Sequence, residues 1–127
     1  MLRAYEVEIT TDASGDATDY AGLKITGKVI AIKYEFGTLV AGLDFYINGE
    51  TTDAPVMDIA GVGAADAWWF PRILPNKHTD GAAFTDAAAE PPWVFGERIK
   101  IITDDGGATK TGTLTFYVEE DTFAEAG

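Results

Sequence analysis

Cysteine is absent from the 127-residue chain. That removes a disulfide framework and a thiolate metal site, so stability has to come from packing or assembly. Histidine and serine occur once each, as His78 in "NKHTDG" and Ser14 in "DASGDATD", and both stretches read as loops. A hydroxyl nucleophile needs a base and an orienting group held in a rigid frame. Two residues in separate loops do not supply one, and the chain reads as a non-enzyme. Basic residues are scarce as well, 9 Lys and Arg against 21 Asp and Glu, for a formal charge of −12. Nucleic-acid binding draws its affinity from counterions released to Lys and Arg, so an acidic surface excludes nucleic acid as a partner. No apolar run is long enough to cross a bilayer and none of signal-peptide length opens the chain. The expectation is a soluble protein without a membrane partner, its compartment open but with intracellular synthesis favoured. No Gly-rich segment joins a strand to a helix, so no phosphate cradle and no cofactor are expected.

What the sequence does contain is alternation. "YEVEI" sets Tyr5, Val7 and Ile9 on one side and Glu6 and Glu8 on the other, the period of a half-buried strand. "LKITGKVIAIKYEF" places Ile30, Ile32, Tyr34 and Phe36 on one face, with Lys28 and Lys33 open to solvent and Gly27 as the site of a bend or bulge. "GLDFYINGE" continues with Phe45 and Ile47 in phase and a turn at "NGE", and "PVMDIAGV" makes a further short strand. From Pro71 to Pro92 the chain is irregular, with at most one helical turn. "ERIKIIT" and "GTLTFYVEE" flank "DDGGATKT" as a β-hairpin, with Leu114, Phe116 and Val118 facing one way.

These elements predict an all-β protein: an antiparallel two-sheet sandwich or jelly roll of about 7–8 strands with one long loop. A chain of this length suits a single domain, placed at 1–119, followed by an acidic C-terminal tail at 120–127.

Two acidic stretches raise a metal question. Asp12, Ser14, Asp16 and Asp19 resemble a calcium loop in spacing but lack its distal bidentate glutamate, and they read as Asx and Ser turns. Asp104 to Gly107 reads as a hairpin connection. Neither is taken as a metal site.

The stretch "AWWFPR", Ala67 to Arg72, concentrates aromatic surface. On an extended chain Trp68 and Trp69 point to opposite faces, so only one of them joins the core. The other is covered either by the protein's own long loop or by a neighbouring subunit. Aromatic residues and Arg are enriched in interface hot spots. The candidate subunit interface is therefore Trp68, Trp69, Phe70, Arg72 and Trp93.

Over residues 20 to 119, "GLDFYINGETT", "FPRIL" and "GERIKIITDDGGATKTGTLTFYVEE" resemble small β-sandwich virion proteins of tailed bacteriophages, in which a "DF.I.GE" strand, a "PR" after a strand and an "RIKI…GG…KTGT" segment recur in this order. The matching residues are Asp44, Phe45, Pro71, Arg72, Arg98, Lys110, Thr111 and Gly112. The resemblance implies a non-enzymatic virion structural protein, a capsid decoration or cement protein that bridges subunits. Its implied partners are the major capsid protein or other virion proteins and further copies of the chain, forming a homo-oligomer in the virion after synthesis in the host cytoplasm. Two alternatives stay open: a neck, tail or head-fibre component, and, from another class, a carbohydrate-binding module with Trp68, Trp69 or Trp93 as stacking platforms.

Overall fold

The computed structural model describes residues 1–73 and 90–120. Seven strands account for most of them: β1 (Leu2–Thr10), β2 (Ala17–Glu35), β3 (Leu43–Gly49), β4 (Pro55–Val62), β5 (Ala67–Trp69), β6 (Trp93–Asp104) and β7 (Thr111–Glu120). The protein is all-β. No helix of the described residues is long and apolar enough to cross a membrane.

All pairings are antiparallel, in the order β1-β7-β2-β6-β3-β4, with β5 paired to β2. The 19-residue β2 is the hinge of this arrangement. Its first part, Ala17 to Lys28, pairs with β6, and its second part, Gly27 to Glu35, pairs with β7. One arm is thus β2-β6-β3-β4 and the other β1-β7-β2-β5. They curl over each other into a sandwich whose two layers share β2, so hydrogen bonding makes one continuous sheet where two separate ones were expected.

The curl follows from local interruptions in β2. Pairing shifts register between Ala21 and Ile25, where Gly22 has φ of 69°, between Ile25 and Thr26, and again between Val29 and Ala31. An extra residue bends a strand and resets its facing. The shift at Val29 and Ala31 turns Ile30 off the core face on which the sequence placed it, while Val29, Ile32 and Tyr34 are buried. Gly27 is not itself a bulge. It pairs with Val94 of β6 and Glu120 of β7 at once, and a Cβ there would run into the backbone of Glu119 and Glu120.

The expected hairpin between the last two strands does not form. β2 lies between β6 and β7, so residues 105–110 connect strands that are not neighbours. The facing was right even so: Leu114, Phe116 and Val118 are fully buried. At the open end this connection zips to the β1–β2 loop. Gly106 donates its N–H to the Gly15 carbonyl (2.8 Å), Thr109 to that of Asp12 (3.0 Å), and the Thr11 hydroxyl donates to the Gly107 carbonyl (2.5 Å).

Between the arms lies a core built from Ile9, Ile25, Val29, Ile32, Tyr34, Leu43, Phe45, Ile47, Ile99, Ile101, Leu114 and Phe116. Tyr34 of one arm meets Phe45 of the other edge-on, with ring centroids 5.4 Å apart. That contact crosses the sandwich, because β2 and β3 are not paired.

The β3–β4 turn is held by a buried acid. Glu97, 5% exposed, accepts the backbone N–H groups of Thr51 (2.6 Å) and Thr52 (2.9 Å) and the Thr52 hydroxyl (2.7 Å). Burial pushes its carboxyl up, but these donors and the Phe95 N–H outweigh that and hold it below the usual carboxylate range. The left-handed residue of the turn is Asp53, with φ of 58°, rather than Gly49. Gly49 is needed for a different reason: a Cβ would lie 2.7 Å from the Glu97 carboxylate.

Candidate functional site: the outer aromatic face

β5 is short, and its three residues pair with Ile32, Lys33 and Tyr34. Alternation then separates its two tryptophans. Trp69 points inward, stacked on Tyr34 at 5.2 Å and meeting Phe45 edge-on at 6.0 Å. Trp68 points outward and is 51% exposed, and Phe70, 61% exposed, follows it on the same side. The two outer rings lie nearly parallel at 6.5 Å, and Trp68 also touches Tyr117 of β7 at 5.5 Å. Lys33 sits over the Trp68 ring, its Nζ 5.8 Å from the centroid.

A second aromatic pair lies at the other end of the same stretch of β2. Trp93 is opposite Lys28, whose Nζ lies 5.4 Å from the indole centroid. Phe95, two residues on, runs parallel to Trp93 at 6.2 Å. The two rings, 38% and 56% exposed, border a hollow of about 320 Å³ that also takes in Ala54, Pro55, Ile73, Glu90, Pro91 and Pro92. Ile73 and Glu90, both on its wall, are joined by a pair of backbone hydrogen bonds of 2.7 and 2.8 Å.

Of the five candidate interface residues, Trp68, Phe70 and Trp93 are solvent-facing, and Trp69 packs against the core. Arg72 is exposed, with Nη1 donating to the Ile30 carbonyl (3.1 Å) and the Pro71 carbonyl (2.7 Å). Phe95 joins the exposed set without having been a candidate, and half-buried Tyr117 borders it through its contact with Trp68. The spacing of Phe95 from Trp93, two residues on a strand, was the available signal.

Other residues singled out by resemblance have structural partners. Arg98 forms a two-pronged ion pair with Glu50 and lies 4.0 Å from the Tyr20 ring centroid. Asp44 Oδ1 accepts the Gly61 N–H at 2.9 Å. At Gly112 a Cβ would collide with the Leu39 side chain.

The acidic stretches resolve in two ways. Asp12 Oδ1 accepts the N–H groups of Ser14 (2.8 Å) and Asp16 (3.1 Å), an Asx turn that keeps the Asp12 carboxyl below the usual range. Asp104, by contrast, lies directly opposite Asp44 in the β3–β6 register, and these two and Asp105 have carboxylate oxygens within 4.8 Å of one another. A hydrogen bond with Asp16 and the charges of Asp16, Asp105 and Asp44 hold the Asp104 carboxyl above its usual range. Sequence reading found Asp104 and Asp105 but not Asp44, which only strand pairing brings to them. Ser14 is an exposed turn residue, and His78, Phe84 and the C-terminal residues 121–127 lie outside the described residues.

No known protein family and no curated protein matches the chain. Among solved structures it is similar to chains of infectious bursal disease virus, from the Gx strain (15% identity, TM-score 0.26) and the Gt strain (15% identity, TM-score 0.29). In each case 96% of this chain is covered, and the chain spans 37% of the viral chain's length. These are likenesses to viral chains at a level too low to carry an argument about role.

Proposed function

We propose that this chain is a non-enzymatic virion structural protein of the tailed-bacteriophage kind, a capsid decoration or cement protein that bridges subunits through its outer aromatic face. The observation that carries the proposal is the set of rings turned away from the core: Trp68, Phe70, Trp93 and Phe95. Large exposed rings beside cations are the composition of interface anchors, and a protein that has already filled its core has no folding use for them. The kind of assembly is taken from the resemblance of its sequence motifs to those of small virion proteins.

The test is the copy number of the chain in purified particles, measured by quantitative mass spectrometry against the major capsid protein. A count equal to the capsid protein or a simple fraction of it supports decoration. A count of about a dozen, the order set by a portal-like ring of closed symmetry, moves the protein to the neck or tail. Absence from the particle overturns the proposal.

One observation favours a second reading. The parallel Trp93 and Phe95 rings beside a concave surface with Glu90 on its wall form a surface on which a sugar ring can stack, as a carbohydrate-binding module requires. Titration of tryptophan fluorescence with a glycan panel decides it, since no response from any glycan retires the idea.

A further inference from the structure

The outer face of the β1-β7-β2-β5 arm has a graded charge. At one end Glu8, Glu35 and Asp66 surround a hollow of about 380 Å³ floored by Thr111 and Thr113. The middle is aromatic, with Trp68, Phe70 and Tyr117 in contact and Lys33 laid over Trp68. The far end carries Lys28 and Arg72, while Glu119 there is paired with the N-terminal amine at 2.9 Å. Lys28 and Glu35 lie on the same strand and face the same side, roughly 20 Å apart along an extended chain.

We propose that this face is self-complementary and packs on the same face of a second copy of the chain. A two-fold axis lying across the strands near the Trp68–Tyr117 contact exchanges the two ends. It sets Glu35 of one copy over Lys28 of the other, and Asp66 towards Arg72, at both ends of the contact. The centre then joins Trp68 of each copy to Phe70 of its mate. An isologous contact requires this kind of internal exchange, in which residue i meets residue j and j meets i. Charge argues for a second copy here and against one elsewhere. The chain as a whole carries −12, so two copies repel across most orientations, whereas on this face Lys28 and Arg72 lie at one end and Glu8, Glu35 and Asp66 at the other, with Glu35 also 3.9 Å from Lys33 of its own chain.

The inference rests on the assembly reading and names a partner for its surface. The experiment uses the full-length protein. Sedimentation equilibrium of the wild type is expected to show a concentration-dependent dimer of twice the 13.6 kDa chain mass. Lys28→Glu and Glu35→Lys each turn two symmetry-related attractions into repulsions and are expected to weaken the dimer by about tenfold or more. The double exchange Lys28→Glu with Glu35→Lys restores it. Trp68→Ser leaves a folded monomer. Because Lys28 and Glu35 are surface residues that do not touch within one chain, the charge exchange remains decisive even if Trp68→Ser fails to fold. A monomeric wild type, or a dimer indifferent to both single reversals, overturns the proposal. A monomer that is nevertheless present in particles overturns this inference alone, and a dimer absent from particles overturns only the virion reading.

Discussion

Trp69 and Trp68 are adjacent in sequence and lie on opposite sides of the sheet, Trp69 stacked on Tyr34 at 5.2 Å and Trp68 half open to solvent. Trp69→Ala empties space between Tyr34 and Phe45 and is expected to cost about 3 kcal/mol of stability. Trp68→Ala removes mostly exposed surface and should cost less than about 1 kcal/mol. Urea denaturation of the two variants checks the contrast, and equal losses would contradict the assignment of faces.

Glu97 stabilises the fold through a charged form that the β3–β4 turn solvates. Its folded-state pKa is depressed, so its contribution is present above the ordinary carboxylate range and lost as pH falls through the lowered value. Glu97→Ala leaves the Thr51 and Thr52 donors without their acceptor and is expected to cost about 2–3 kcal/mol at neutral pH. Thermal melts from neutral to acidic pH should show the gap between wild type and variant closing in acid.

The Tyr34 hydroxyl is buried and has no hydrogen-bond partner among the described residues. Burial, with a further push from the charge of Asp66, raises its pKa from 10.0 to about 12. A raised folded-state pKa means stability that is intact below 10.0 and declines as pH climbs toward about 12. Tyr34→Phe should be neutral or stabilising by up to about 1 kcal/mol at pH 7 and should remove that alkaline decline. Chemical denaturation of both proteins across the alkaline range measures it.

Asp104 faces like charges, and its carboxyl is held above the ordinary range by Asp16 first. Its stabilising contribution is complete below that range and is lost as pH rises through the raised value. Asp104→Asn is therefore expected to melt higher than wild type at neutral pH, with the advantage vanishing in acid. A variant that melts lower at neutral pH would show that the carboxylate has a favourable partner.

Alternation made much of the fold legible. Val7 and Ile9, Phe45 and Ile47, and Leu114, Phe116 and Val118 all face the core as their period-two pattern requires. The pattern failed where a strand was irregular. Ile30 was placed on the core face and is turned off it, because the register shift between Val29 and Ala31 reverses the phase, and the same shift lets Lys28 and Lys33, five residues apart, both face outward as expected. The exposed candidates were legible as aromatic and basic residues, while their grouping was not. Tyr117 reaches Trp68 across β2, and Asp44 reaches Asp104 across the β3–β6 ladder.

The all-β class, the acidic surface and the inward residues of each regular strand follow from the sequence by itself, because they depend on composition and on side chains alternating between neighbours in the chain. The insertion of β2 between β6 and β7, the curl that sets Tyr34 against Phe45, and the choice of Trp69 over Trp68 for the core were decided only in the tertiary structure. Each depends on which distant strand supplies the hydrogen bonds and fills the facing layer, and period-two patterning is the same whichever strand does so.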